Sequence, residues 1–251
     1  MRKIFKWLKA QVEDYKILLR NIPSTTITCF ILSLVCANLM ANKELLSFKY
    51  LALDCGFVFS WIMFLCMDVI CKRWGTNASI KVSLLALFVN LCVCGIFTLL
   101  SLAPGKWSEF YTFESDEVNQ ALNSTFGGSW YVVLGSALAF IVSSIINAVL
   151  NSAIGSKLKK NGFLTFALRS YISTIIAQFA DNLIFATVVS KLFFGWTWTQ
   201  VLLCSLAGAI FELLCEVLFS GFGYKIVQRW EKENVGKEYL DYKNRLAKNR
   251  Q

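Results

Sequence analysis

The chain has 251 residues, 56% of them hydrophobic and 16% charged, with a mean hydropathy of +0.55. A soluble globular domain carries roughly 25% charged residues, so this balance suits a bilayer as solvent. The absence of histidine excludes zinc sites of the usual kind, His-ligated haem and any His-based catalytic relay.

Taken in chain order, Met1 to Arg20 is basic and amphipathic, with Ile4, Trp7, Leu8 and Val12 at helical spacing and lysines between them. It is expected to lie on the inner leaflet. A cleaved signal peptide is not expected, because the hydrophobic run that follows is too long and lacks a small-residue cleavage site. Six apolar runs come next, near Ile22–Ala41, Leu51–Cys71, Ile80–Ala103, Trp130–Ile154, Phe163–Ser190 and Trp198–Gly221. Each is long enough to cross a ~30 Å hydrocarbon core as helix. The connection Gly105–Ser129 carries Trp107, Phe110, Tyr111 and Phe113 and is expected to pack over the outer face. From Lys225 onward the chain is charged and reads as solvated helix or disorder. The organisation is thus an N-terminal segment (1–21), a membrane domain (22–221) and a tail (222–251).

The formal charge of +9 raises a nucleic-acid partner, so the placement of the basic residues decides the matter. They alternate: segments on one side of the six runs hold 21 Lys or Arg, those on the other side 4, with Lys81 and Arg169 counted in the segments they adjoin. By the positive-inside rule the first set is cytoplasmic, which puts both termini there and assigns the charge to topology instead of to nucleic acid. The expectation is an all-α integral membrane protein of six transmembrane helices. Its nine cysteines all fall within or at the edges of the apolar runs, where they read as packing thiols.

Ionisable side chains at membrane depth cost at least ~2.5 kcal/mol at a helix centre, so their presence needs a reason. The second run holds Asp54 and Asp68, four turns apart on nearly one face of the expected helix, with Trp61 between them. Gln178, Asp181 and Asn182 cluster in the fifth run, and Glu212 and Glu216 lie one turn apart in the sixth. The fourth lines up Ser136, Ser143, Asn147 and Asn151. Interhelical hydrogen bonding is the plainer reading for Asn38, Asn147 and Ser143. Asp181 and Glu216 are harder to explain so, since no basic residue is expected at their depth. Arg169, at the cytoplasmic start of the fifth run, reads first as a positive-inside anchor. Buried acids and amides on facing helices imply a polar cavity at mid-membrane and a solute pathway. The rival class, an intramembrane enzyme, is left only a carboxylate dyad such as Asp68 with Asp181, and neither sits in a catalytic motif. Asn38-x3-Asn42 and Asn147-x3-Asn151, each followed in the next run by a buried acid, raise a 3+3 inverted repeat; chance similarity of two short motifs is the other reading.

The fifth run reads Arg169-x3-Ser173-x4-Gln178-x2-Asp181-x3-Phe185, and here the sequence resembles the queuosine precursor transporter family, also called the VUT or YhhQ family. Supporting matches are Asn38, Leu39, Ala41 and Lys43; Asp68 and Gly75; Thr125, Phe126, Gly127, Gly128 and Trp130; Asn147; and Glu216 with Tyr224. Lys72, Trp74, Ser144 and Gly221 depart from the family pattern, which bears on substrate preference. The resemblance implies uptake of 7-deazaguanines (preQ0, preQ1 or queuine) for tRNA modification, across a bacterial cytoplasmic membrane and without a cofactor. One carboxylate would read adjacent N–H donors, Gln178 an O6 acceptor, and Trp61 or Phe185 the flat face, with Asn182, Asn147, Asn38, Asp68 and Arg169 around them. The alternative is a substrate-capture subunit for a vitamin-like molecule, working with a separate ATPase module. Small-residue faces allow a homodimer.

Overall fold

Backbone N–H and C=O groups cannot be left unpaired in hydrocarbon, and long apolar runs satisfy them as helix. The computed structural model of the chain describes residues 2–41, 43–48, 51–107, 116–127, 130–157 and 162–248. Asn42, Phe110, Tyr111, Phe113 and Gly128, singled out above, lie outside the described residues, as do the side chains of Ile4 and Trp7.

The elements are α1 (Arg2–Asn21), α2 (Ser24–Met40), β1 (Glu44–Phe48), β2 (Leu51–Asp54), α3 (Phe57–Trp74), α4 (Thr76–Ser101), α5 (Asp116–Phe126), α6 (Trp130–Lys157), α7 (Phe163–Phe185), a π-helical turn (Ala186–Lys191), α8 (Leu192–Phe194), α9 (Trp198–Lys232) and α10 (Lys237–Lys248). Among the described residues four segments, containing α4, α6, α7 and α9, are long and apolar enough to cross a membrane. The number rises to five if α1 and α2, which meet at 104°, form one broken span. The 17-residue α2 is shorter, and the 18-residue α3 is more polar, with Asp68, Lys72 and Arg73.

Side-chain polarity is distributed inside out. Leu102 and Leu218 are each 77% exposed and Leu99 and Leu164 each 70%, while Asp68, Asn147, Ser170 and Glu216 are 0% exposed. Water would reverse that arrangement, whereas hydrocarbon favours it. The chain is a multi-pass membrane protein.

The helices α6, α7, α9 and α3 pack side by side, and α2 and α4 complete the bundle against α3 and α6. One expectation is corrected at the second apolar run. Its first residues, Leu51–Asp54, are not helix but the second strand of an antiparallel hairpin, in which Leu53 pairs with Leu46. The apolar, alternating Leu51-Ala52-Leu53 stretch has a partner strand to pair with, so its backbone needs no helix. Asp54 therefore sits in the hairpin, and Asp54 and Asp68 do not share a helix face.

α1 and α10 pack together, so the tail, read as solvated helix or disorder, is helical over Lys237–Lys248 and buries part of that helix. Tyr239 of α10 is fully buried, and its backbone N–H donates to Asn21 Oδ1 of α1 at 3.3 Å. Asp14 of α1 pairs with Lys81 of α4 and with Lys243 of α10 at 3.5 Å. Burial, with the Asp14 carboxylate beside it, raises the Tyr239 phenol above its ordinary range. At the opposite end, Trp107 stacks against Phe126 with ring centroids 5.6 Å apart and donates from Nε1 to Asn123 at 2.7 Å.

Candidate functional site

A cavity of about 460 Å³ opens at the end of the bundle formed by the hairpin, the π-helical turn and the start of α9. Asp54, Phe57, Asn182, Phe185, Trp196 and Glu212 line it. The π turn contributes Ala186 and Ser190 to the wall; one extra residue per turn re-aims the side chains at the end of α7 toward the hollow. Gly208 of α9 leaves space for the floor, since a Cβ there would stand 2.8 Å from Asn182 Nδ2. A side chamber of about 80 Å³ adjoins it, sharing Asp54, Asn182, Phe185 and Glu212 and adding Asn38, Ser60 and Asp181.

Glu212 is the most heavily engaged group of this upper site. Ser60 of α3 donates to its Oε1, Asn182 Nδ2 donates to its Oε2 at 3.3 Å, and Gln178, with its amide nitrogen turned toward α9, donates to Oε1 at 3.1 Å and to Oε2. Gln178 and Asn182 are one turn apart on α7, so one helix face supplies two amides to one carboxylate. Asp181 turns toward α6 and accepts from Ser143 Oγ at 2.6 Å. Asp54 accepts the Gly56 backbone N–H at 2.7 Å, which fixes its carboxylate at the rim.

A second network lies deeper. Asp68 Oδ1 accepts from Asn147 Nδ2 at 2.8 Å and Asn151 Nδ2 at 2.7 Å. Ser170 Oγ contacts both Asp68 Oδ2 and Glu216 Oε1, and Thr174 Oγ1 reaches Asp68 Oδ2 at 3.4 Å. Arg169 donates from Nε to Asn151 Oδ1 at 2.8 Å and from a terminal nitrogen as well. Room for the guanidinium comes from Gly155, where a Cβ would stand 2.8 Å from Arg169 Nη1. Thr174 and Gln178 on α7, like Glu216 and Glu212 on α9, are one turn apart, so the two networks approach each other to about 6 Å along the axis.

A family model described as "Putative vitamin uptake transporter" matches residues 54–226, more than half of the chain. The chain belongs to this family. No curated protein and no solved structure matches it. Vitamin uptake transporters move a solute without converting it, so the buried carboxylates are not to be read as a catalytic dyad.

In this vitamin uptake transporter the residues expected to share one central cavity fall into two groups. Asn182 and Phe185 line the main cavity, Asn38 and Asp181 the side chamber, and Gln178 stands behind Glu212. Asp68, Asn147, Glu216 and Arg169 form the deeper network and reach neither hollow. Arg169, read from sequence as an anchor, is only 7% exposed and is a buried countercharge to Asp68. That also corrects the expectation that no basic residue lies at the depth of Glu216. Trp61 stacks on Phe219 with centroids 4.3 Å apart and lines neither hollow, whereas Trp196, which the sequence did not single out, lines the cavity. Glu212 was visible as the partner of Glu216 but was not assigned to the site; Asp54 and Ser60 join it only through the hairpin and the α3–α9 packing. The Asn147-x3-Asn151 pair binds the acid of the other half, Asp68, whereas Asn38 Nδ2 donates to its own helix at Leu34 O, 3.1 Å away. Among the described residues no three or more Cys, Asp or Glu side chains are grouped to hold a metal ion.

Proposed function

We propose that this chain imports queuosine precursors, 7-deazaguanines such as preQ0, preQ1 or queuine, through the cavity above Glu212. The observation that carries this reading is the pairing of a flat-walled hollow with an amide-clamped carboxylate at its floor. Phe185 and Trp196 offer ring faces to a planar heterocycle. Glu212 offers acceptor lone pairs to adjacent N–H groups, and Asn182, at its side, offers both a donor and an acceptor. The fixed positions of Gln178, Ser60 and Asn182 around Glu212 lower the ordering cost of binding.

The topology that goes with this function is six crossings by α2, α3, α4, α6, α7 and α9, with both termini cytoplasmic and the cavity open to the outside of a bacterial inner membrane. The described parts of the base-poor segments, including the hairpin, lie at the cavity end, and those of the base-rich ones at the α1–α10 end. Opposite orientation of two three-helix halves would then place Asp68 and Asp181 at different depths, as two inverted repeats require.

Uptake of labelled queuine or preQ1 by proteoliposomes holding this chain alone tests the proposal. Uptake saturable by unlabelled preQ1 is expected. Binding without uptake until an ATPase module is added would make the chain a capture subunit. Absence of both binding and uptake would remove the deazaguanines as cargo.

A further inference from the structure

We infer that Asp68 and Glu216 form a two-carboxyl site that holds one proton, and that this proton is the ion coupled to solute movement; the second clause rests on the transport reading above.

A serine hydroxyl has one proton to donate. Ser170 Oγ nonetheless makes hydrogen-bonding contacts with both Asp68 Oδ2 and Glu216 Oε1, and the two carboxyl groups also lie within hydrogen-bonding reach of each other. If both acids were ionised, Ser170 would present a bare lone pair to one carboxylate, and two anions would share a site fully closed to water. One added proton removes both conflicts: one carboxyl donates to Ser170 Oγ, and Ser170 donates to the other. Thr174 also stands within reach of both acids, at 3.4 Å from the Asp68 oxygen that Ser170 already meets and beside Glu216, but its one proton can serve only one of them and leaves the Ser170 lone pair and the second negative charge in place. The shortage of donors extends to Glu216 Oε2 and Asn147 Oδ1, both buried without a hydrogen-bond partner among the described residues.

The charge count agrees. On α3, Asp68 is followed by Cys71, whose thiol points at Ala148 O, and by Lys72, which faces Arg169 and Glu231. The α6 side supplies Asn147 and Asn151 and no charge. On α7 the charged neighbour is Arg169, while the Tyr171 hydroxyl lies 2.6 Å from Ser220 Oγ. From α9 come Glu216 itself and, one turn toward the cavity, Glu212. One proton on the pair leaves a single negative charge against Arg169, while Lys72 beyond it faces the opposite charge of Glu231, the arrangement of least cost where water is excluded. Glu212 stands on the same helix between this pair and the cavity, about 6 Å along the axis from Glu216, and so marks the side from which the proton is exchanged.

Infrared difference spectroscopy of the purified protein in H2O and D2O reads the proton directly, through the C=O stretch of a protonated carboxyl. Glu216→Gln and Asp68→Asn are each expected to remove the same one-carboxyl band. In either variant the remaining acid ionises beside Arg169, and a proton shared by two acids is lost with either. Ser170→Ala, the variant of least volume change, is expected to keep the amplitude and shift the frequency. A wild-type protein without the band, or a band unchanged in both acid variants, overturns the proposal. In vesicles, an inward proton gradient is expected to stimulate uptake of a 7-deazaguanine by the wild type, with that stimulation lost in Glu216→Gln. Uptake indifferent to the gradient in the wild type overturns the coupling. If the infrared result holds and no deazaguanine is taken up, the proton site stands and the cargo assignment fails.

Discussion

Arg169 Nε donates to Asn151 Oδ1 at 2.8 Å, and this contact decides which way the Asn151 amide points. With its oxygen committed to the guanidinium, the amide nitrogen is presented to Asp68 Oδ1, 2.7 Å away. Arg169 thus acts on the acid pair by charge and by orientation together. Removing one partner of a buried charged network costs about 3–5 kcal/mol, far beyond what a surface anchor contributes. Arg169→Ala is expected to lower the thermal midpoint in detergent markedly, with Arg169→Lys intermediate because an ammonium keeps the charge without the planar fork. An unchanged midpoint and normal membrane insertion in Arg169→Ala would reduce the residue to its motif and leave the network without a countercharge.

Glu212 and Asp181 should separate in binding assays. Glu212 is shared by both hollows and clamped by two amides and a hydroxyl, whereas Asp181 faces only the side chamber and is bound to Ser143. A hydrogen bond to a charged group is worth about 1.5–3 kcal/mol, or roughly ten- to a hundredfold in affinity. Glu212→Gln is expected to lose that much for a 7-deazaguanine and Asp181→Asn much less. Isothermal titration of both variants checks this, and the reverse order would move the site into the side chamber.

The aromatic residues divide in the same manner. Trp61 is engaged with Phe219, so Trp61→Ala is expected to destabilise the fold, the lost ring pair alone contributing about 0.5–1.5 kcal/mol, with affinity kept. Phe185→Ala and Trp196→Ala are expected to keep stability and weaken binding. Fluorescence titration alongside a melting curve gives both numbers for each variant, and a Trp61→Ala protein that melts normally but no longer binds would restore the ring to the site.

How much was legible in the sequence follows from which forces are local. Apolar runs report burial in hydrocarbon residue by residue, so the helices containing α4, α6, α7 and α9 were visible as runs. The Leu51–Asp54 strand was not, because its apolar residues satisfy the same composition test and only pairing with Glu44–Phe48 tells strand from helix. Buried acids were visible as acids, yet their sorting into two networks depends on tertiary spacing. Asp68 meets Asn151 across α3 and α6, and Glu212 joins the cavity because Gly208 and the π turn open space beside it. Arg169 looked superficial because its position near a helix start is a fact of sequence, whereas the gap left by Gly155 is a fact of packing.

The last expectation concerns the end of the bundle away from the cavity. Asp14 is 6% exposed, accepts from Lys81 on α4 and Lys243 on α10, and sits beside the buried Tyr239 ring. Arg73 of α3 adds to the same fastening, donating to Val235 O from Nε at 3.0 Å and from Nη2 at 2.8 Å. These contacts tie α1 and the α9–α10 junction to the short connection between α3 and α4, next to the deeper network. Opening that end toward the cytoplasm requires them to part, so the collar is expected to hold the protein closed there. Asp14→Ala strands two ammonium groups, one of them half-buried, and is expected to lower the thermal midpoint and to raise the accessibility of a cysteine placed at Ser170 to a thiol reagent added from the cytoplasmic side of inverted vesicles. The native cysteines need replacing first, since none of the nine is in a disulfide. A destabilised Asp14→Ala protein whose Ser170→Cys label stays as slow as in the parent would mean that the collar braces the fold without controlling access.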